Sequence, residues 1–270
     1  GKLIEPKYTK NISSQKIKDE MNKIGTTPDI RRAKLKRLID AKEIVRVLEC
    51  HNPIAGLIVE NLNYNKHEKW TEFDVMWSSS LTDSVSRGMP DNQSVDYSTR
   101  ISGVNEIFNV TTKPLIFDID NGGQIEHLKF IVKKLESSGV SAIIMEDKIG
   151  LKKNSLFSDQ SNVRQESIAK FSQKIKEAKN AAITEDFLVI ARIESLILGK
   201  SINDALKRAI EYSKAGSDLI MIHSKENNPK KIFEFSQKFL KTKYAKPLVA
   251  VPSTYSKTPE KDLIKNGFKI

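Results

Sequence analysis

Cysteine is almost missing from this 270-residue chain, since Cys50 stands alone, and no internal disulfide framework can hold the fold. No run of about 18 apolar residues occurs, which excludes an ordinary membrane-spanning helix. The first residues, GKLIEPKYTK, lack the apolar stretch of a secretory leader, so the expected compartment is the cytoplasm. Arginine is scarce within a basic composition: nine of the 45 basic residues are Arg, which leaves 36 Lys, and aromatics make up only 7%. The net charge of +11 is spread along almost every predicted helix with no aromatic-interleaved cluster. Such a pattern describes a solvated lysine surface, and neither a nucleic-acid nor a membrane partner is expected.

The 39% hydrophobic content is enough for the core of one large α/β domain. Residues 1–30 are polar and basic with scattered Ile, Tyr and Met, and read as an N-terminal arm or linker. The break Thr26-Thr27-Pro28-Asp29 precedes the main folded domain, 31–270. A helix carrying Ala33, Leu35, Leu38 and Ile39 leads to a strand at Ile44–Leu48, a second apolar helix through Ile58, a polar insert at Asn61–Glu72 and a strand at Phe73–Trp77. Further strands are predicted at Leu115–Ile119, Val140–Met145, Phe187–Ile193, Leu219–Ile222, Leu248–Val251 and Phe268–Ile270. Helices fill the intervals: Gln124–Ser138 stops at Gly139, and Ser201–Ala215 stops at Gly216, with Ser201 and Asp204 spaced as a capping box. Eight strands alternating with helices predict a parallel (β/α)8 TIM-type barrel, with an open doubly wound sheet as the second choice. The chain ends inside the eighth strand, so the closing C-terminal helix is expected to be absent from it.

In such barrels chemistry gathers where strands end. The strand exits carry His51, Ser79, Asp118 with Asp120, Glu146 with Lys148, Arg192 with Glu194, His223 with Lys225, and Ser253. Any one of these is ordinarily a cap or a surface ion pair; all together they predict a converged site. The stretch AIIMEDKIGLKKNSL, Ala142–Leu156, is the sharpest case: a buried strand, charges at its exit, then a mobile polar loop. Asp118, Asp120 and Glu146 are hard oxygen donors with no Cys or His cluster beside them, a set that suits Mg²⁺ or Mn²⁺ held largely through water. Arg192 and His223 flank the same mouth as partners for phosphate or carboxylate. Gly122-Gly123 either admits a ligand to the backbone or makes a left-handed turn.

In order along the chain stand HNPIAGLIVEN, WSSSL, FDIDNGG, EDKIGLKKNSLF, ARIESLILG, MIHSKE and VPSTY. From Ile44 to Ile270 this series resembles the phosphoenolpyruvate mutase branch of the isocitrate lyase superfamily. The resemblance implies Mg²⁺ as cofactor, with Asp118 as its direct ligand and Asp120 and Glu146 as ligands through water. It implies a substrate-anion cradle at Trp77, Ser79, Ser80 and Leu81, an aspartate beside the transferring phosphoryl group at Asp91, and a gating loop that carries Lys148, Lys152, Asn154 and Ser155. Arg192 and His223 match the anion-binding pair. The activity implied is interconversion of phosphoenolpyruvate and 3-phosphonopyruvate, with phosphonopyruvate hydrolysis as the alternative if water enters. Carbon–carbon lyases of the superfamily place a catalytic cysteine in this loop; here it reads Lys152-Lys153-Asn154-Ser155. FDIDNGG also departs from the more usual aspartate-x-aspartate-threonine-glycine form, and Ser80 stands where glycine is common. A homodimer or homotetramer is implied, and relatives joined to a nucleotidyltransferase domain resemble it most. A non-catalytic basic binding module is the remaining alternative, and it requires the acidic mouth to be incidental.

Overall fold

The computed structural model describes residues 25–66, 69–150, 152–156, 160 and 162–270; most of the expected arm lies outside them. The first helix, α1 (Pro28–Ala41), begins inside the stretch read as arm, because Thr27 accepts the Ile30 N–H and Pro28 fills the first turn, where no N–H is needed. It is followed by β1 (Val47–Glu49), α2 (Pro53–Asn61), the hairpin β2 (Asn63–Lys66) and β3 (Lys69–Glu72), and β4 (Val75–Ser78). Then come α3 (Ser80–Val85), α4 (Tyr97–Phe108), β5 (Leu115–Asp118), α5 (Ile125–Ser138), β6 (Ala142–Glu146), and the short pair β7 (Lys148–Ile149) and β8 (Arg164–Gln165). The chain continues through α6 (Ile168–Ala181), β9 (Leu188–Ile193), α7 (Ile202–Lys214), β10 (Leu219–Ile222), α8 (Lys230–Phe239), β11 (Leu248–Val249) and α9 (Glu260–Lys265).

Seven of these strands form one parallel sheet in the order β1-β4-β5-β6-β9-β10-β11. The expected eighth strand joins its two edges. Phe268 bridges Leu248 in parallel, the Ala250 N–H donates to the Ile270 carbonyl at 2.8 Å, and the Val45 N–H donates to the Lys269 carbonyl at 2.8 Å. The sheet therefore curls into a barrel. The strand expected at Ile44–Leu48 is registered later, at Val47–Glu49, because Val45 is taken by the chain's end and the Arg46 N–H by the Asp74 carboxylate at 3.0 Å. The polar insert is the antiparallel hairpin β2–β3. The capping box before α7 is half formed: Ser201 accepts the Asp204 N–H at 3.2 Å, while the Asp204 carboxylate accepts from Ser195 and Arg208 instead.

Strand side chains alternate between two buried clusters. Ile143 and Met145, Val189 and Ala191, Ile220 and Ile222 pack with helix residues such as Leu128, Phe171 and Phe235. Ala142 and Ile144, Leu188 and Ile190, Leu219 and Met221 pack with one another inside the barrel, and Leu35 and Ile39 of α1 join them and plug its lower end. One step further along the inward-facing parity stand Glu146, Arg192 and His223. The helices lock onto this frame through specific bonds. Glu136 of α5 accepts the Ile183 and Thr184 amides at 2.8 Å each, and Gly139 ends α5 at φ +96° against Pro28, where a Cβ would lie 2.9 Å from the proline Cα.

Among the described residues no helix is long and apolar enough to cross a membrane. Phe268, 1% exposed, closes the barrel seam and packs with Phe233 at 6.3 Å between ring centroids. Phe268→Ala is expected to cost about 3–5 kcal/mol in urea unfolding; a loss below about 1 kcal/mol would mean that the seam does not depend on it.

Candidate active site

A cavity of about 820 Å³ opens at the carboxyl ends of the strands. Trp77, Ser79, Leu81, Asp91, Asp118, Lys152, Asn154, Ser155, Arg192 and His223 all line it. Ser80, Asp120, Glu146 and Lys148 stand just behind this wall, in contact with lining groups. Of the other strand-exit residues, Ser253 reaches the cavity, whereas His51 and Lys225 are not on its wall. Gly122-Gly123 makes a left-handed turn, with φ +76° and +63°, closed by the Gly122 N–H on the Ile119 carbonyl at 2.8 Å.

The first half of the site is a group of carboxylates. Asp118 Oδ1 accepts the Asp120 N–H at 2.8 Å, and Ser80 Oγ lies 3.4 Å from Asp118 Oδ2. The loop residue Lys152 points into this group, 2.5 Å from Asp120 Oδ1, 3.3 Å from Asp91 Oδ1 and 3.9 Å from Asp118 Oδ2. Burial alone would raise the Asp118 carboxyl, but Lys152, Arg192 and Arg100 hold it below the ordinary carboxylate range. For Asp91 burial prevails over Lys152, and its carboxyl is raised. Glu146, buried beside Glu194, is pushed up to about 7 despite Arg192 and Lys148.

Among the described residues no three His, Cys, Asp or Glu side chains converge closely enough to ligate one ion by themselves. The donor set nevertheless fits a hydrated hard dication, which needs one or two direct carboxylates and fills the rest of its shell with water. The Asp91 carboxylate oxygens make no hydrogen bond among the described residues, although Lys152 stands near one of them.

The second half is organised by Glu194, which is wholly buried. It accepts from Arg192 Nε at 2.5 Å and from Ser155 Oγ at 2.6 Å, and Lys148 Nζ lies 3.4 Å away. Ser155 in turn accepts from Lys148 at 2.6 Å and Arg192 at 2.7 Å. These bonds fold the described loop residues Lys152–Leu156 into the mouth. Burial raises the Glu194 carboxyl, but the cations Arg192 and Lys148 hold it well below the ordinary range. Burial and Arg192 lower the His223 imidazole. Arg192 Nη2 lies 3.2 Å from His223 Nδ1 and can only donate, so Nδ1 accepts and the proton resides on Nε2. The 3.4 Å approach of the same Nδ1 to Glu194 is then a contact between two acceptors and makes no bond. Nε2 has no hydrogen-bond partner among the described residues, so its N–H is available at the cavity wall.

Further buried groups hold these in place. Asp147 Oδ1 accepts the Glu194 N–H at 2.9 Å, and its Oδ2 accepts from Tyr212 at 2.7 Å, Gln165 at 2.9 Å and Arg208 at 3.1 Å. Arg100 donates to the Asp118 carbonyl at 2.6 Å and to Asp83 at 2.8 Å, and Asp83 accepts from Ser78 at 2.7 Å. Glu194 had a signal in the sequence, since it follows Arg192 on the same strand parity. Asp147 stood among the charges at a strand exit, whereas Arg100 and Arg208 had no signal, because their partners are distant in the chain.

Asn154 lines the cavity, and its Oδ1 accepts the Leu156 N–H at 2.8 Å, closing a local turn.

A parallel barrel whose mouth gathers buried carboxylates, cations and an infolded loop defines a class of barrel enzymes that act on small anions. The family described as "Phosphoenolpyruvate phosphomutase" matches residues 35–270. The chain is 35% identical over 237 residues to a phosphoenolpyruvate phosphomutase of Tetrahymena pyriformis, covering 86% of this chain and 74% of that relative. It is 34% identical over 233 residues to a phosphonopyruvate hydrolase of Variovorax sp. (strain Pal2), covering 85% and 75%. A crystal structure of phosphonopyruvate hydrolase in complex with oxalate and Mg²⁺ superposes with a TM-score of 0.76 at 30% identity, over 90% of this chain and 78% of that one. The chain belongs to the phosphoenolpyruvate mutase/isocitrate lyase superfamily and is an enzyme acting on a phosphonate or carboxylate substrate.

Two outcomes follow from this geometry. His223 has a folded-state pKa below its ordinary 6.5, so below about pH 6.5 the unfolded chain binds a proton that the folded chain refuses, and this group's contribution to stability is lost as pH falls. Nitrogen-15 NMR at pH 7 should show a neutral imidazole with its proton on Nε2; an imidazolium signal would contradict the assignment. Glu194→Gln keeps the shape but leaves Arg192 and Lys148 short of a countercharge, and is expected to destabilise the fold by about 3 kcal/mol in urea unfolding. Wild-type stability in that variant would remove Glu194 from its central place.

Proposed function

We propose that the protein catalyses the Mg²⁺-dependent interconversion of phosphoenolpyruvate and 3-phosphonopyruvate. The observation that carries this reading is the convergence, in one buried mouth, of Lys148, Lys152 and Arg192 with Asp118, Asp120 and Glu146. In the forward direction the bond from phosphorus to the enol oxygen breaks, a phosphorus–carbon bond forms at C3, and the enol oxygen becomes the ketone oxygen. No proton or water is consumed. Bound Mg²⁺, with Asp118 as direct ligand and Asp120 and Glu146 acting through water, supplies positive charge for the enolate and the substrate carboxylate.

The remaining roles fall to the chain itself. Arg192 and the His223 Nε2–H bind anionic oxygens of the substrate. Lys148 and Lys152 neutralise charge on the moving phosphoryl group, a loose species stabilised mainly by electrostatics and positioning. Trp77, Ser79, Ser80 and Leu81 bind the carboxylate end. Asp91 stands beside the path of the phosphoryl group. Asn154 offers its amide to that group, and Ser155, bonded to Lys148 and Arg192, holds the loop against the mouth and keeps water out. Small-molecule anions are the substrates, and the protein works as a homodimer or homotetramer.

The second reading is phosphonopyruvate hydrolysis, favoured by the near-equal identities, 35% and 34%, to relatives of the two activities. Both reactions begin with departure of the phosphoryl group and differ in whether the enolate or water receives it. Lyase chemistry is disfavoured by a loop that carries Asn154 and Ser155 and no cysteine. Phosphorus NMR of the protein with phosphonopyruvate and Mg²⁺ separates the outcomes. A phosphoenolpyruvate signal is the expected result, inorganic phosphate alone would replace the mutase by the hydrolase, and an unchanged spectrum would overturn both.

A further inference from the structure

Among the described residues of the infolded loop, Lys152 is the one group that enters the aspartate cluster. Its ammonium contacts three carboxylates from three parts of the chain: Asp91, Asp118 at the end of β5, and Asp120 in the turn after it. It also donates to Ser80 Oγ at the start of α3, and its side chain is 6% exposed. Lys148, by comparison, is bonded to Ser155 and the Lys153 carbonyl and faces Glu146 and Glu194. The two lysines therefore serve different carboxylates.

A hydrated magnesium ion keeps its oxygen ligands at about 2.0–2.1 Å, and those ligands must reach the surrounding carboxylates. An ammonium 2.5 Å from Asp120 Oδ1, on the Asp118 side, fills the space that such a ligand requires. It also neutralises the charge that would attract the ion. Lysine suits this place: its ammonium is a compact charge on a flexible stem, able to leave without disturbing the strands.

We propose that Lys152 is a tethered competitor of the divalent cation: its ammonium is the counterion of the Asp91–Asp118–Asp120 cluster and leaves it when the ion enters. Residue 152 thereby sets the affinity of the cation site and couples ion entry to the position of the loop. This inference rests on the cation site of the proposed function and is independent of whether the reaction is mutation or hydrolysis.

The test is a titration of the protein with Mg²⁺ alone, without substrate, by isothermal calorimetry. Lys152→Met is expected to bind Mg²⁺ at least about tenfold more tightly than the wild type, and to gain more in Tm from saturating Mg²⁺. Lys152→Arg, which retains the charge, should gain neither. Equal or weaker binding by Lys152→Met would overturn the inference while leaving the cation site standing; no Mg²⁺ binding by any of the three proteins would overturn both. A second measurement needs only the wild type, and it decides the matter if Lys152→Met does not fold. Hydrogen exchange in the peptide that carries Lys152–Leu156 should accelerate on adding Mg²⁺ without substrate, because the lysine is released. Unchanged or slower exchange would contradict the exchange of cations.

Discussion

The ion pair between Glu194 and Arg192 is the contact on which the mouth of the barrel depends. A carboxylate with no exposed surface is tolerated only if its charge is met by partners, since the cost of leaving it alone in a dry interior is several kcal/mol. Glu194 meets that demand with Arg192, Ser155 and Lys148, and each partner belongs to a different functional piece. Arg192 aligns His223 by donating to it. Ser155 brings the loop. Lys148 joins β7 to the same centre. Asp147, held by Arg208 and Tyr212, fixes the Glu194 backbone from behind.

The aspartate half is built on the same electrostatic logic with opposite balance. Carboxylates outnumber cations there, and Lys152 is the only contact of the loop with Asp91, Asp118 and Asp120 among the described residues. A loop held by one lysine on the acidic side and one serine on the basic side is positioned by charges that a substrate anion or a dication can redistribute. The barrel beneath has no comparable freedom, because its interior strand residues are close-packed aliphatic side chains. Rigidity below and exchangeable charge above is the arrangement expected of a site that must open, bind an anion and exclude water.

A surface charge of +11 has little part in this. Among the described residues many lysines lie on helices around the barrel, while the charges of the mouth are a small buried minority. The relatives divide on the reaction, mutase and hydrolase standing at 35% and 34% identity. That division is physically reasonable: departure of a phosphoryl group from carbon or oxygen makes the same demands on cations and dryness in both, and the outcome turns on whether a water molecule reaches phosphorus.

The strand–helix rhythm, the parallel barrel and the strand-exit residues were legible in the sequence because each rests on local periodicity. A strand alternates every second residue, so aliphatic inward positions such as Ile144 and Ile190 announce that Glu146 and Arg192 face the same way two residues on. Resemblance over Ile44–Ile270 then named the cavity residues. Tertiary structure alone decided the rest. It closed the barrel by pairing Val45 with Lys269, which moved the first strand later than its hydrophobic run suggested. It turned the Asn61–Glu72 insert into a hairpin, diverted Asp204 from its capping box to Ser195 and Arg208, and carried Lys152 into the aspartates. In each case the competing partner is many residues away or belongs to another element. A linear pattern records which face a side chain takes, but an ion pair between distant residues exists only once the chain has folded and water has left the space between them.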